Sequence, residues 1–458
     1  MIRGALGVTA QQLGGRLHGA DRPFAGVGID SRRLARDALF VALPGERVDG
    51  HAFLAQARAR GAAGALVSRF DPDVPLAQLV VPDVRAALVA LAVLWRGTFR
   101  GPVVALTGSN GKTTVKEMIA AMLGTRGEVW ATPGNYNNEL GVPLSLLGLD
   151  PARHEAAVFE LGANHAGEIA QLTQWVRPDV GLITQAGRAH LEGFGSLEGV
   201  ARAKGELIAG LAPGAVAVIN ADDVFAPYWS TLARGRVVRF GFAPEADVRA
   251  DPAARRVAAD ADGTAQRFQL QTPSGAAELR LGFLGRHNLR NALAAAAVGE
   301  ALGLSVEAIA AGLATARPAP GRLNWLIGTG GVRVIDDTYN ANPTSMTAAI
   351  DVLAELPGER WLVIGDMAEL GPDAAALHAE MGAHARAQGI GRVYACGPLS
   401  AAAVDAFGAG ARHFADQDAL TGSLLGDLGG CKVPPTLLIK GSRRMAMERV
   451  VAALKQEH

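Results

Sequence analysis

Val103-Val104-Ala105-Leu106-Thr107-Gly108-Ser109-Asn110-Gly111-Lys112-Thr113-Thr114 is the stretch on which the reading of this chain turns. A short β-branched run ends in a glycine-rich turn, and helical spacing follows from Thr113 to Leu123. Strand, loop and helix in that order are the context a phosphate-binding loop requires. Glycines let backbone N–H groups turn toward one centre and let phosphate oxygens approach closely. The helix that follows adds the positive end of its dipole. Lys112 can reach the terminal phosphates of a nucleoside triphosphate, and the Thr113 hydroxyl can bind Mg2+. Gly108, Ser109, Asn110, Gly111, Lys112, Thr113 and Thr114 are therefore the candidate nucleotide contacts. One departure stands out: the general pattern places glycine where this chain has Leu106, so the loop is a compressed variant. The alternative is a glycine-rich turn that holds nothing.

Outward from this loop, strand-like runs recur at Ala157 to Leu161, Val180 to Thr184 and Ala215 to Ile219, with a helical segment such as Leu197 to Leu211 between them. That alternation predicts a mainly parallel sheet covered by helices, with ligands at the carboxyl ends of its strands. Glu160 closes one of these apolar runs and supplies the carboxylate a phosphate loop needs for its magnesium; the alternative is a solvated strand end. From Val237 to Leu284 the pattern turns to polar alternation with Gly and Pro, which reads as an antiparallel extension. An Ala-rich helix follows from His287 to Leu302, with Gly303 as its stop.

Upstream, residues 1–82 mix short apolar runs with turn residues and read as a small α/β domain. Downstream, Arg317-Pro318-Ala319-Pro320-Gly321 reads as a linker, and residues 318–458 alternate again: strands at Val332 to Ile335, Trp361 to Ile364, Arg392 to Ala395 and Thr436 to Ile439, helices at Thr344 to Leu356 and Ala374 to Gln388. The expected fold is thus α/β in three domains: residues 1–82, a central P-loop ATPase-like domain at 83–317, and a Rossmann-like C-terminal domain at 318–458.

Bulk composition narrows the function classes. With 458 residues, 49% hydrophobic and 19% charged, the chain has material for several cores and no sign of disorder. Lys+Arg and Asp+Glu are both 44, which argues against a general nucleic-acid binder. Cys396 and Cys431 form neither a disulfide framework nor a zinc cluster, and read as reduced core thiols. Met1 to Gly15 lacks the pattern of a signal peptide, and the apolar run Ala86 to Trp95 is too short to span a bilayer, so a cytoplasmic protein without membrane insertion is expected.

Taken together, the motifs are more specific than any one of them. After the loop come Gly134-Asn135-Tyr136-Asn137-Asn138-Glu139-Leu140-Gly141-Val142-Pro143, Glu160, Ala189-His190-Leu191-Glu192, Lys204-Gly205-Glu206, Gly285-Arg286-His287-Asn288, Gly321-Arg322-Leu323, Asp336-Asp337 and Lys440-Gly441-Ser442. In this order, over nearly the whole chain, they resemble the Mur ligase family, which builds the peptide stem of bacterial peptidoglycan. Ala163-Asn164-His165, the run from Ile335 to Met346 and Gly365-Asp366-Met367-Ala368-Glu369-Leu370-Gly371 resemble the branch that joins D-alanyl-D-alanine to UDP-N-acetylmuramoyl-tripeptide.

The resemblance implies ATP as co-substrate, an acyl-phosphate intermediate and two Mg2+ ions. It matches Thr113 and Glu160 to the first metal, and His190 and Lys204 to the second, with Lys204 carbamylated by CO2. By residue type alone His190 is a surface histidine and Lys204 a solvated helix residue. Lys112, His190, Lys204 and Arg322 are the implied catalytic set. Asn288, with His287, is implied at the adenine side of ATP, where the plain reading is an N-terminal cap. Arg322 is implied at the γ-phosphate and Asp337 at the ribose. Ser31, Arg32 and Arg47 match the uridine-nucleotide determinants, and Asn137 and Asn138 the channel for the muramoyl peptide. Tyr339, Asn340, Asn342, Lys440 and Ser442 match substrate-facing positions of the last domain. A monomer is expected.

Three rivals stay open. A sibling ligase would add a single amino acid to the dipeptide precursor, but the Asp-Asn-Pro-Arg motif of its diaminopimelate version does not occur here. A folylpolyglutamate synthetase differs in its loop and C-terminal motifs. A P-loop switch protein would not need His190, Lys204 and Lys440-Gly441-Ser442 together.

Overall fold

The computed structural model describes residues 1–45, 48–187, 191–260 and 263–455. The chain is α/β in three parts, each with its own sheet. In the first, strands Arg16–His18, Gln78–Val80, Gly64–Val67, Leu39–Val41 and Val27–Gly28 lie side by side, the last four mutually parallel. Arg3–Ala5 pairs separately with Pro23–Ala25. The second part is a ten-stranded sheet, and the third a six-stranded one.

The ten-stranded sheet is built around Val103–Thr107, whose five residues are all buried. Ala156–Glu160 flanks it in parallel on one side and Val180–Ile183 on the other. Strands buried on both faces read as continuous apolar runs, and these do. Val129–Ala131 adds beyond Ala156–Glu160; Val216–Asn220 and Val237–Gly241 add beyond Val180–Ile183. The connection after Val103–Thr107 runs to one side of the sheet and that after its neighbour Val180–Ile183 to the other, so the crevice at their carboxyl ends is a topological switch point. The phosphate-loop residues sit there.

The expected antiparallel extension holds only in its later half. Val237–Gly241 and Val248–Arg249 continue the parallel sheet, and the antiparallel hairpin Gly263–Thr272 with Gly275–Leu281 follows, with Arg256–Asp260 on its other edge. Turn residues within 242–247 hid the parallel crossover. The Ala-rich helix runs Arg286–Ala301, and Gly303 beyond it has φ +75°, a conformation that glycine adopts without strain.

In the last part, Arg333–Asp337, Thr436–Lys440, Arg360–Gly365, Arg392–Cys396 and Ala411–Phe414 are parallel, and Asn324–Ile327 adds an antiparallel edge. The two edge strands were not legible in the sequence because edge positions are half-exposed and their residues mixed. One apolar core runs from Ile2 and Leu6 through the helix Val84–Arg96 to Trp229, joining the first sheet to one face of the central one. Leu284 packs into the core of the last part. Cys396 is buried and Cys431 half-buried, both free thiols. No described helix is long and apolar enough to cross a membrane.

Candidate active site

A cavity of 460 Å3 opens where the carboxyl end of the central sheet meets the last part. From the central side it is lined by Ser109 to Thr114, Asn137, Glu160 and Asn288; from the other by Arg322, Asp337, Tyr339, Asn340, Asn342 and Lys440.

The loop is shaped by glycine. Gly108 has φ +148°, and a Cβ there would collide with the Thr184 hydroxyl. Gly111 has φ +83° and caps the helix Lys112–Gly124, so that helix begins at the cavity wall. Thr184 Oγ1 donates to the Asn110 carbonyl at 2.7 Å, and Ser109 N to the Gln185 carbonyl at 2.9 Å. Lys112 Nζ donates to Gly108 O at 2.7 Å. Burial lowers the pKa of Lys112, the Glu160 carboxylate opposes this, and Arg322 adds repulsion.

Glu160 is buried, which removes the solvated-strand-end reading. It accepts from the Thr113 hydroxyl at 3.0 Å through one oxygen and from Asn137 Nδ2 at 2.8 Å through the other. A part-buried hydroxyl–carboxylate pair at the start of the P-loop helix suits Mg2+, which keeps several waters and takes one or two carboxylates plus substrate phosphates. Among the described residues no cluster of three or more His, Cys, Asp or Glu side chains could hold a metal alone.

Lys204 is buried on the helix Leu197–Ala209, so it is no solvated helix residue. Its Nζ lies 5.3 Å from the centroid of the Phe194 ring. Burial brings its pKa down to about 7, with repulsion from Lys112 helping and Glu206 and Glu168 opposing. A lysine of this kind is largely neutral, and so nucleophilic, just above neutral pH. His190 lies outside the described residues.

Arg322 reaches across from the last part. Its Nη2 donates to Thr113 Oγ1 at 3.3 Å, and its guanidinium stacks 4.1 Å from the centroid of the Tyr339 ring. Its Nε is buried with no hydrogen-bond partner among the described residues, a donor that an anionic oxygen would satisfy. Asn342 Nδ2 donates to Asn110 Oδ1 at 2.7 Å, a second bridge between the parts. Asp337 accepts from Lys440 Nζ at 2.6 Å and from Leu323 N at 3.2 Å. Lys440 also donates to the Asn340 carbonyl at 2.9 Å.

Asn288 is not an N-cap. Gly285 holds that position, and Asn288, one turn in, donates to Leu284 O at 2.9 Å and accepts from Asn291 Nδ2 at 3.0 Å. The side chain is thereby fixed against the cavity wall. His287 lines the same wall, and burial pushes its pKa down to about 4, with Lys440, Arg290 and Arg255 adding repulsion.

Other expected site residues stand apart from this cavity. Asn138 Oδ1 accepts from Gly141 N at 2.8 Å at the start of the helix Gly141–Gly148. Ser442 is buried beside the Asp366 carbonyl, which its N–H meets at 2.9 Å. Ser31 donates to Gln56 Oε1 at 2.6 Å, and exposed Arg32 pairs with Asp30, both in the first part at the carboxyl ends of its strands. Arg47 lies outside the described residues. A separate hollow of 1090 Å3 opens at the amino ends of that sheet's parallel strands, lined by Arg3, Arg22, Arg36 and Arg58, and neither Ser31 nor Arg32 touches it. Thr184, Gln185, Arg290, Asn291 and Ser345 line the main cavity without having been singled out. Thr184, at the end of a strand-like run, and Ser345, within the run from Ile335 to Met346, carried a signal; the others are ordinary helix and loop residues until the fold brings them together.

The chain matches the description "Mur ligase family, catalytic domain" over residues 23–96, "Mur ligase middle domain" over 106–299 and "Mur ligase, glutamate ligase domain" over 321–443. It is 47% identical to the UDP-N-acetylmuramoyl-tripeptide–D-alanyl-D-alanine ligase of Escherichia coli K12, covering 100% of this chain and 99% of that one. To the ligase of the same name from Bacillus subtilis it is 37% identical, over 82% of this chain and 80% of that one. A crystal structure of MurF from Acinetobacter baumannii superposes with a TM-score of 0.91 at 37% identity, covering 99% and 98% of the two chains. MurF ligase from Thermotoga maritima in complex with ADP gives 0.80 at 28% identity, covering 93% and 96%. Matches of this identity and coverage, on a cavity built in this way, place the chain: it belongs to the Mur ligase family.

Proposed function

We propose that this chain is the ATP-dependent, ADP-forming ligase that joins D-alanyl-D-alanine to UDP-N-acetylmuramoyl-tripeptide, giving the pentapeptide precursor of peptidoglycan. The observation that carries the reading is one cavity in which Lys112, Thr113 and Glu160 of the central sheet face Arg322, Asp337 and Lys440 of the last. Full-length likeness to ligases of that name supports the choice of substrates over a single amino acid. In this reading residues 1–82 hold the uridine nucleotide through Ser31, Arg32 and Arg47, residues 83–317 bind ATP, and residues 318–458 bring the amine. The enzyme works as a monomer in the cytoplasm.

A carboxylate is a poor electrophile toward an amine, and phosphorylating it installs a leaving group. A carboxylate oxygen of the tripeptide attacks the γ-phosphorus, and the bond to the β-phosphate oxygen breaks, releasing ADP. The amine of D-alanyl-D-alanine then attacks the acyl carbon, phosphate departs and the amine loses a proton. Lys112 and Arg322 place positive charge beside the oxygens on which the transferring phosphoryl group carries negative charge. Thr113 and Glu160 would hold one Mg2+, and His190 with Lys204, as its carbamate, the other; bound metal would supply positive charge against the phosphates. Asn288 and His287 form the wall on the adenine side, and Asp337, held by Lys440, meets the ribose. Asn137 and Asn138 flank the path of the muramoyl peptide, and Tyr339, Asn340, Asn342 and Ser442 frame the amine side.

The test is phosphate release and product mass with ATP, UDP-muramoyl tripeptide and a panel of amines. Release that requires both co-substrates, with a product heavier by D-alanyl-D-alanine, is expected. Release indifferent to the co-substrates, or a product bearing a single amino acid, rejects the reading.

A further inference from the structure

Lys116 is a buried cation that the chemistry above does not use. It lies one turn beyond Lys112 on the helix Lys112–Gly124, is 1% exposed, and ranks among the largest fully buried side chains. Its Nζ donates to the Thr132 carbonyl at 2.7 Å and pairs with Glu117 at 3.1 Å. A buried ammonium costs stability unless paired and hydrogen-bonded, and an apolar residue of its length would pack there without that cost.

Its acceptor is a junction. The Thr132 hydroxyl accepts from the backbone N–H of Glu160 at 3.0 Å, and Thr132 N donates to Val158 O at 3.0 Å. The chain then runs through Pro133 to Asn137, whose side chain meets Glu160 at 2.8 Å and whose carbonyl accepts from Gly162 N at 2.7 Å. Asn135 and Asn137 line the cavity. One ammonium therefore ties the helix that follows the phosphate loop to the segment that carries Asn135 and Asn137, and, through Thr132, to the backbone that presents the Glu160 carboxylate.

We propose that Lys116 is a positioning residue: it holds the Thr132–Asn137 segment against Glu160 and thereby sets how tightly the muramoyl-peptide end of the substrate is bound. The proposal rests on the ligase reading for the identity of that substrate. It is tested by calorimetric titration of UDP-N-acetylmuramoyl-tripeptide, and separately of Mg2+ with ADP, into the full chain and its Lys116→Met, Lys116→Arg and Thr132→Val variants, each with a thermal melt. Lys116→Met is expected to weaken muramoyl-peptide binding by about tenfold, the low end for loss of one hydrogen bond made by a charged group. ADP binding should move much less, and Lys116→Arg should regain most of the loss because it keeps the charge and a donor. Thr132→Val, which retains shape but loses the hydroxyl, should shift the same ligand in the same direction, and it reads the proposal if Lys116→Met does not fold. Equal weakening of both ligands, unchanged muramoyl-peptide binding, or an arginine variant as impaired as the methionine one overturns it. Turnover of the parent chain, measured alongside, judges the ligase reading by itself.

Discussion

At the residue scale, burial does the chemical work. Lys204 differs from an ordinary helix lysine because the helix Leu197–Ala209 turns it inward beside Phe194. Replacing it with alanine is expected to lower kcat by roughly 100-fold or more, as for loss of an electrostatic group at a developing charge, with the thermal midpoint unchanged or raised, since the lost group is a buried amine. Unchanged turnover would remove its role. His287 offers a pH test. Its pKa is about 4 in the folded chain against 6.5 for a free histidine. Between those values the unfolded chain binds a proton that the folded one does not, so stability falls as pH drops from 6.5 toward 4. The contribution is at most about 3 kcal/mol. His287→Gln should flatten the loss of urea midpoint between pH 7 and 5, while an identical slope in both proteins would show that His287 titrates freely. Neither residue's burial was legible beforehand, since a lysine or histidine reads as solvated until the elements around it are placed. Lys112, Thr113 and Glu160 were legible, because the strand–loop–helix pattern that orients them is local.

At the element scale, helix ends serve both stability and the site. The helix Pro343–Ala354 begins with a reciprocal cap in which the Asn342 side chain accepts from Ser345 N and the Ser345 hydroxyl accepts from Asn342 N. The same Asn342 amide bonds to Asn110 in the phosphate loop. Asn342→Ala is thus expected to cost about 1 kcal/mol and, with the bridge to the loop gone, to raise the KM for ATP several-fold. An Asn342→Asp variant keeps the cap oxygen but not the amide donor. It should preserve the thermal midpoint while still raising that KM, and a KM equal to the parent's would show that the bridge is idle. The Asn-Pro-Thr-Ser sequence announced the cap; the partner in the loop, 232 residues away, had no sequence signature. Asn288 went the other way: it had the composition of a cap, and the backbone gave that position to Gly285.

At the scale of the whole molecule, polar ties join the central sheet to the last part, among them Arg322 to Thr113, Asn342 to Asn110, and Arg255 to Glu355 through both carboxylate oxygens at 2.7 and 2.8 Å. The third lies outside the cavity lining, and Arg255 is further held by Gln266 at 3.1 Å. Because Glu355 is 41% exposed, the pair contributes little to stability, under about 1 kcal/mol. Its expected effect is on the arrangement of the parts. Arg255→Ala should leave the thermal midpoint nearly unchanged but increase the radius of gyration of the nucleotide-free chain in X-ray scattering, with Mg2+ and ATP restoring the compact value. Superposable scattering curves for parent and variant would show that the pair holds nothing.

The sequence by itself determined the α/β alternation, the phosphate loop and the carboxylate of Glu160 that faces it, and the order of the family's motifs. Each of these rests on interactions between residues near in the chain: period-2 and period-3.6 burial, glycine at positive φ, a helix start after a strand. Only the tertiary structure decided which polar residues face one cavity. It set Arg322 over Tyr339 and against Thr113, moved Ser442 and Asn138 out of the lining, kept the first two strands after Ala233 parallel, and buried Lys116 beneath the junction at Thr132. Those outcomes depend on where separate sheets pack, and the burial that selects them is shared among residues hundreds of positions apart, so no local pattern records it.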